Sequence, residues 1–322
     1  MLISVIIPFY NCEKYIKQSI NSAINQTLSK KYYEIIAIND LAKDNSPKIA
    51  KEILNNKKNC RLLKVKKKTV GAGYARNYGL KNSKGKYIYF LDSDDFLKKD
   101  ALFKLKKILD KNKKIDLVCN NYKVINKSKN KIRNNRFDLH LLKNKNKRKL
   151  FENFFDLSII PQVISNLIKK STITSKKISF KEGYFEDVNF IFKVLLYSKK
   201  RVILKDQIYF KNNRENSIVN TISSKHIKDA FEGYKSAYNF LKKHKKGFFI
   251  DNFFLKGLVG ETSVLIDRIK SYKITKIKRK KYYAILYRSV KNYLPKIIRN
   301  YKFVSKKDIK FKDFINNKDK YF

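Results

Sequence analysis

The chain has 322 residues, with Lys+Arg 76 against Asp+Glu 27 and a formal net charge of +49. That length accommodates a catalytic core with a smaller C-terminal appendage, because domains run to roughly 100 to 200 residues. Hydrophobic residues make up 43% and aromatics 14%, enough apolar surface to offset the entropy of ordering, so the charge does not mark a disordered chain. The first 120 residues alternate short apolar runs with helical patterns, the signature of βαβ units around a mostly parallel sheet. Ile3 to Pro8 reads as a core strand rather than a signal peptide, since it lacks a basic leader and stops at Pro8. Glu13 to Gln26 carries a helical stripe of Tyr15, Ile16, Ile20, Ala23 and Ile24, and Glu34 to Ile38 is the second strand. Ser46, as N-cap, and Pro47 open a helix with Ile49, Ala50, Ile53 and Leu54 inside, followed by a strand from Arg61 to Val65. Gly71 to Lys81 is a glycine-containing turn entering a helix, and Lys86 to Leu91 is a strand running directly into Asp92.

Asp116 to Val124 reads as a further strand, and the basic, polar stretch Asn126 to Lys149 as an excursion or mobile loop. Apolar patterning returns from Phe151 to Lys205, with Phe190, Val194 and Leu195 on one helical face behind Glu186 and Asp187. In the basic final third, Tyr283, Leu286, Tyr287 and Val290 fall at i, i+3, i+4 and i+7, which describes a basic amphipathic helix. The most apolar late stretch, Gly247 to Ile266, is broken by Asp251, Lys256 and Glu261, so no transmembrane helix is expected. Cys12, Cys60 and Cys119 show no CxxC spacing, which argues against a zinc site or disulfide framework and fits a reducing cytosol.

Charge excess implies a polyanionic neighbour, either nucleic acid or an anionic membrane surface, unless a Lys-, Asn- and Ile-rich compositional drift accounts for part of it. No RNP, KH or zinc-finger pattern supports nucleic acid. Asp92, Ser93, Asp94 and Asp95 crowd onto a strand's carboxyl end, where open α/β sheets bind ligands. Such carboxylates repel one another and would take a divalent Mg²⁺ or Mn²⁺, whose other positions suit water and substrate phosphates. The alternative is a solvated turn in which Asp94 or Asp95 caps a helix from Leu97 to Leu109. VGAGYARNYG is neither a dinucleotide fingerprint nor a P-loop. It offers Arg76, either a phosphate or carboxylate partner or a solvated helix residue. Glu186 and Asp187 read as helix-capping carboxylates or as a general base. His140, His226 and His244 show no paired spacing and receive no role.

Taken together, ISVIIPFYN, EIIAINDLAKDNS, GAGYARNYG, YFLDSDDF and FEDVNF, in this order and spacing, resemble the family 2 glycosyltransferases of bacterial surface-polysaccharide synthesis. The resemblance covers residues 1 to 220 and implies the GT-A fold, a nucleotide-diphosphate sugar donor with Mn²⁺ or Mg²⁺, and inversion at the anomeric carbon. It implies Pro8, Phe9 and Tyr10 against the base, Asp40 on the base or ribose, and Arg76 near the nucleotide. Asp92 and Asp94 become the metal-binding DxD pair around Ser93, with Asp95 as a third candidate ligand. Asp187 becomes the base, supported by Glu186, while YFKNNRENSI suggests Arg214 and Ser217 on the acceptor or phosphate side. One departure stands out. Where the family has Asp-Asp-Gly-Ser, this chain has Asn39, Asp40, Leu41 and Ala42, losing a glycine suited to positive φ and a hydroxyl.

The resulting expectation is a GT-A catalytic domain over 1–220, with a nucleotide-sugar half to 120 and an acceptor-side half beyond it, then a helical basic region over 221–322. Its function would be transfer from a UDP-type sugar to a glycan or lipid-linked acceptor in lipopolysaccharide, lipooligosaccharide or capsule synthesis. The enzyme would sit peripherally on the inner face of the cytoplasmic membrane. A catalytically impaired sugar-nucleotide-binding homologue, or a basic nucleic-acid binder, would be the alternative.

Overall fold

Strand β1, Ile3–Phe9, is buried along its whole length, so its near-continuous apolar run has a physical reason: both faces are covered, as in a parallel strand flanked by helices. The computed structural model describes residues 1–67, 71–126, 131–134, 146–155, 162–213, 221–244, 249–301 and 305–322. Chain order continues with α1 (Glu13–Ile24), β2 (Tyr33–Asn39), α2 (Ser46–Leu54), β3 (Cys60–Lys64), α3 (Gly73–Asn82) and β4 (Tyr87–Phe90). Strands β3, β2, β1 and β4 lie side by side and parallel, with Phe9 opposite Asn39 and Ile6 opposite Phe90. This register puts the carboxyl ends of β1, β2 and β4 along one edge, where their following loops converge.

Next come β5 (Phe96–Leu97), α4 (Ala101–Lys111), β6 (Leu117–Asn126), β7 (Lys131–Asn134), α5 (Lys147–Phe155), β8 (Asn166–Lys169), α6 (Lys170–Thr174), α7 (Glu186–Tyr197) and β9 (Arg201–Asn212). The sheet runs β3-β2-β1-β4-β8-β6-β9-β5, with β7 paired to β6. Here the expectation of a mostly parallel sheet needs refinement. It holds for the first four strands, but β8 is antiparallel to both β4 and β6, and β5 is antiparallel to β9. Short strands entering the sheet from the opposite direction need no crossover helix, so they leave no βαβ signature to read.

Three local expectations are corrected. Helix α4 begins at Ala101, not Leu97, because Phe96 and Leu97 pair with β9. Helix α2 has Asn45 at its N-cap position, and Ser46 lies in the first turn with its hydroxyl donating to Asp44 at 2.6 Å. Part of the excursion after Asn126 is ordered as β7, which returns antiparallel on β6, and α5 begins at Lys147.

Glu34 ties the amino-terminal ends of this sheet together. Burial opposes its charge, but its carboxylate accepts from the Ser4 hydroxyl at 2.6 Å, the Lys84 N–H at 2.5 Å and Arg61 at 2.7 Å, and its pKa is lowered.

Two compact units form: Met1–Lys143 with Pro161–Asn213, and Asn144–Ile160 with Arg214–Phe322. The second contains α5, α8 (Ser224–His244), α9 (Phe249–Ser271), α10 (Lys276–Lys291), α11 (Leu294–Asn300), α12 (Lys306–Asn316) and α13 (Lys318–Tyr321). Helix α9 is its centre, touching α5, α8, α10, α11 and α12. Among the described residues no helix is long and apolar enough to cross a membrane.

Candidate active site

Asp92 follows β4 after Leu91, and the turn is closed by the Asp95 N–H donating to the Asp92 carbonyl at 3.0 Å. Carboxylate oxygens of Asp92, Asp94 and Asp95 all lie within 4.8 Å of one another. The three are not equivalent. Asp95 is 2% exposed and both its oxygens are engaged from β9, one by the Tyr209 hydroxyl at 2.6 Å and the other by the Asn212 N–H at 2.8 Å. Burial, with Asp94 and Asp92 nearby, pushes its pKa up, opposed by Lys211 and Tyr209. Tyr209 also accepts the Asp92 N–H at 3.2 Å, and the Asn212 amide donates to the Asp94 carbonyl. Asp95 therefore anchors the acidic loop to β9 from behind, while Asp92 and Asp94 stand towards solvent.

The helix-cap alternative for Asp94 and Asp95 fails, because α4 starts well beyond them. As a donor set the cluster fits a hard divalent cation: hard oxygen ligands from one or two carboxylates, with room for water and phosphate. Lys211, whose pKa is raised by Asp95 against the cost of burial, sets a positive charge against the carboxylates.

Arg76 projects from α3 and is 6% exposed. Its guanidinium forks between two carboxylates, donating from Nη2 to Asp92 at 2.8 Å and from Nη1 to Glu186. Burial disfavours this cation, but Asp92, Glu186 and Asp187 together push its pKa up. The solvated-arginine alternative is thereby excluded. Arg76 is a structural bridge between the acidic loop and the start of α7, residues separated by about a quarter of the chain.

The glycines of GAGYARNYG serve that bridge. Gly71 has φ +77, and a Cβ there would meet the Gly183 carbonyl oxygen at 2.2 Å. A Cβ on Gly73 would meet the Lys181 carbonyl oxygen at 2.5 Å. The turn thus lets two backbones touch, rather than cradling a phosphate. Asn77 clamps the same contact, donating to the Phe180 carbonyl at 2.9 Å and accepting the Phe180 N–H at 3.0 Å. Below it, Phe180 stacks on Phe190 with ring centroids 3.8 Å apart, and Phe90 meets both rings edge-on.

Asp187 follows Glu186 in the first turn of α7 and accepts the Val163 N–H at 3.4 Å. Burial is the largest influence on its carboxyl, with Glu186 and Asp92 adding to it and Arg76 opposing, and the pKa rises to about 7. A carboxylate tuned to that range suits a general base working near neutrality. The capping alternative for the pair is only partly right: α7 does carry both carboxylates in its first turn, but Glu186 is spent on Arg76.

Pro8, Phe9, Tyr10 and Asp40 also meet at this edge. Phe9 is buried, Tyr10 is 41% exposed, and the Asp40 N–H donates to the Phe9 carbonyl at 2.9 Å. Leu41 takes φ +59, a left-handed conformation that glycine adopts at less steric cost, and the Asn39 side chain accepts the Ala42 N–H at 2.8 Å. Asp44, which sequence reasoning passed over, links this loop to α1 by accepting the Glu13 N–H at 2.9 Å. Ser93 lies beside Cys12, whose thiol is pushed up by burial. Arg214 and Ser217 lie outside the described residues. Tyr209, Lys211 and Asn212 were also missed; the YFKNN run just before Arg214 was the available signal, but nothing in it names Asp95 as its partner.

The family profile described as Glycosyl transferase family 2 matches residues 4–173. The chain belongs to this family. It is 31% identical over 244 residues to the poly(ribitol-phosphate) beta-N-acetylglucosaminyltransferase TarP of Staphylococcus aureus, covering 73% of this chain and 72% of the relative. It is 39% identical over 117 residues to the minor teichoic acid biosynthesis protein GgaB of Bacillus subtilis, a match spanning 36% of this chain and 13% of GgaB. Several of the curated relatives are thus far longer than the segment they share with it. Among solved structures, S. aureus TarS 1-349 in complex with UDP-GlcNAc superimposes with a TM-score of 0.66 at 20% identity, over 95% of this chain and 93% of that one. The fold is accordingly GT-A, with a helical C-terminal region, and the protein is a family 2 glycosyltransferase.

Proposed function

We propose that this glycosyltransferase moves a sugar from a UDP-sugar to a hydroxyl of a bacterial surface glycan, inverting the anomeric configuration. The observation that carries the reading is the Asp92–Arg76–Glu186 bridge, which fixes Asp187 with its raised pKa beside the acidic loop. Asp187 accepts the proton of the acceptor hydroxyl as that oxygen forms its bond to the anomeric carbon. The bond to the nucleotide diphosphate breaks on the opposite face, so configuration inverts. Asp92 and Asp94 would hold a Mn²⁺ or Mg²⁺ ion, which supplies Lewis-acid charge for the diphosphate. Asp95, Tyr209 and Asn212 keep the loop in place, and Phe9, Tyr10 and Asp40 receive the nucleotide.

The acceptor is a lipopolysaccharide, lipooligosaccharide or capsule glycan, or a phosphate-bearing polymer such as the names of the relatives suggest. It is membrane-bound, and the enzyme works at the cytoplasmic face of the membrane. The positive φ at Leu41, where glycine would sit readily, supports an active enzyme over an impaired sugar-nucleotide-binding homologue.

Transfer assays with a panel of nucleotide sugars, Mn²⁺ and purified surface glycans test this. Asp187→Asn should lower kcat by about 10² to 10⁴, the usual contribution of a general base, and Asp94→Ala should lower activity and raise the Mn²⁺ concentration needed for half of it. Full activity in both variants, or a product of retained configuration by NMR, would refute the assignment.

A further inference from the structure

The amphipathic stripe that the sequence offers in α10 is not available to a membrane. Tyr283, Leu286 and Val290 are buried, and the Tyr287 ring packs on Phe314 and Phe322 with centroids 6.3 and 5.7 Å away. The opposite face is the one that meets water. Ile277, Lys281, Ala284, Arg288 and Lys291 follow one another at i, i+4, i+7, i+11 and i+14, one side of a helix with 3.6 residues per turn. Ile277 is 81% exposed, and Lys281, Arg288 and Lys291 are exposed as well. Helix α11 repeats the pairing, with Ile298 at 63% exposure between the exposed Lys296 and Arg299.

Charge along this stretch of the chain is of one sign. From Arg268 to Lys307 the chain contains fifteen lysines and arginines and no aspartate or glutamate. Among the described residues, none of Lys281, Arg288, Lys291, Lys296 and Arg299 forms an ion pair. Unneutralised cations alone would suit any polyanion. Two isoleucines held in water among them suit something narrower, since only an apolar phase relieves their exposure while the flanking side chains reach a phosphate layer.

We propose that this face of α10, together with Ile298 of α11, docks the protein on an anionic lipid bilayer, the isoleucines entering the headgroup boundary and the lysines and arginines contacting lipid phosphates. The inference rests on the membrane-face part of the proposed function and is independent of sugar transfer, so each can fail alone.

The full chain contains no tryptophan, which makes Ile277→Trp a single optical reporter. Its emission should shift to the blue with phosphatidylglycerol vesicles and stay unshifted with phosphatidylcholine vesicles or with polyphosphate. In co-sedimentation, Ile277→Asp should reduce partitioning onto phosphatidylglycerol vesicles about tenfold, the effect of losing one buried aliphatic side chain. Reversing Lys281 and Arg288 together to glutamate should reduce it by a further order of magnitude or more, with weakening by added salt. An unshifted Ile277→Trp emission on phosphatidylglycerol vesicles overturns the proposal, as does wild-type partitioning of Ile277→Asp. Binding to polyphosphate without any vesicle binding overturns it too, and points to a soluble polyanion instead.

Discussion

The acidic site of the N-terminal unit and the basic face of the C-terminal unit hold charge in opposite ways. In the first, the buried charges are engaged by other parts of the chain: Arg76 by Asp92 and Glu186, Asp95 by Tyr209 and Asn212. In the second, cations stand in water along α10 and α11 with no carboxylate near them in sequence. A buried charge needs a partner because desolvation costs several kcal/mol, so its neighbours become fixed in space. An exposed one is hydrated and screened, contributes little to the fold, and stays available to an external ligand. The contrast separates a site whose geometry is built by charge from a surface whose charge is only displayed.

Mutations can break that contrast, beginning with its centre. Arg76→Met leaves Glu186 and Asp92 without their shared partner, and should destabilise the fold by about 3 kcal/mol, the low end for a broken buried pair because 28% of the Asp92 side chain is exposed. Thermal melting would show it, and an unchanged Tm would mean the bridge is incidental. Tyr209→Phe removes a hydroxyl that serves both Asp95 and the Asp92 N–H, and should cost about 1 to 3 kcal/mol while raising the Mn²⁺ concentration needed for half-maximal activity. At the other extreme, Lys281→Glu with Arg288→Glu should alter stability by no more than about 0.5 kcal/mol. A larger loss would show that the basic face also supports the fold.

Protonation of Asp187 sharpens the same picture. Its folded pKa of about 7 lies above the unfolded value near 4, so its protonated form favours the folded state, and that stability is lost as pH rises towards and through 7. Activity should run the other way, rising with pH through an acid limb near 7 in kcat/KM. Glu186→Gln removes the second-largest influence raising that pKa and should move the limb to lower pH. A limb that does not move would dissociate Asp187 from the rate. The smallest effect is expected at Leu41, where a left-handed backbone conformation costs a non-glycine residue roughly 1 to 2 kcal/mol and glycine's greater unfolded freedom offsets part of the relief. Leu41→Gly should therefore gain only about 0.5 kcal/mol in a denaturant titration.

Much of this site is legible before folding. The apolar runs place the strand endings at Pro8, Ile38 and Leu91, each within one residue of the observed Phe9, Asn39 and Phe90, and placing Asp92 near a strand end is enough to suggest a ligand. The cost at Leu41 is also foreseeable from residue type alone, since only its backbone is at issue. Pattern reading went astray at Leu97, where a two-residue strand on β9 delays α4, because a strand that short has no period to detect. It located the buried stripe of Tyr283, Leu286 and Val290 but not its cover, since an apolar stripe declares that it will be covered without saying by what.

The sequence by itself determined the family, the βαβ order of the first ninety residues, and the acidic cluster with its candidate base, because these depend on neighbours within a few positions along the chain. Only the tertiary structure decided that Arg76 joins Asp92 to Glu186, that Asp95 is an anchor held by Tyr209 and Asn212, and that α10 turns Ile277 rather than Leu286 to water. Those contacts join segments far apart in sequence, and their strength comes from burial, which exists only once the chain has packed.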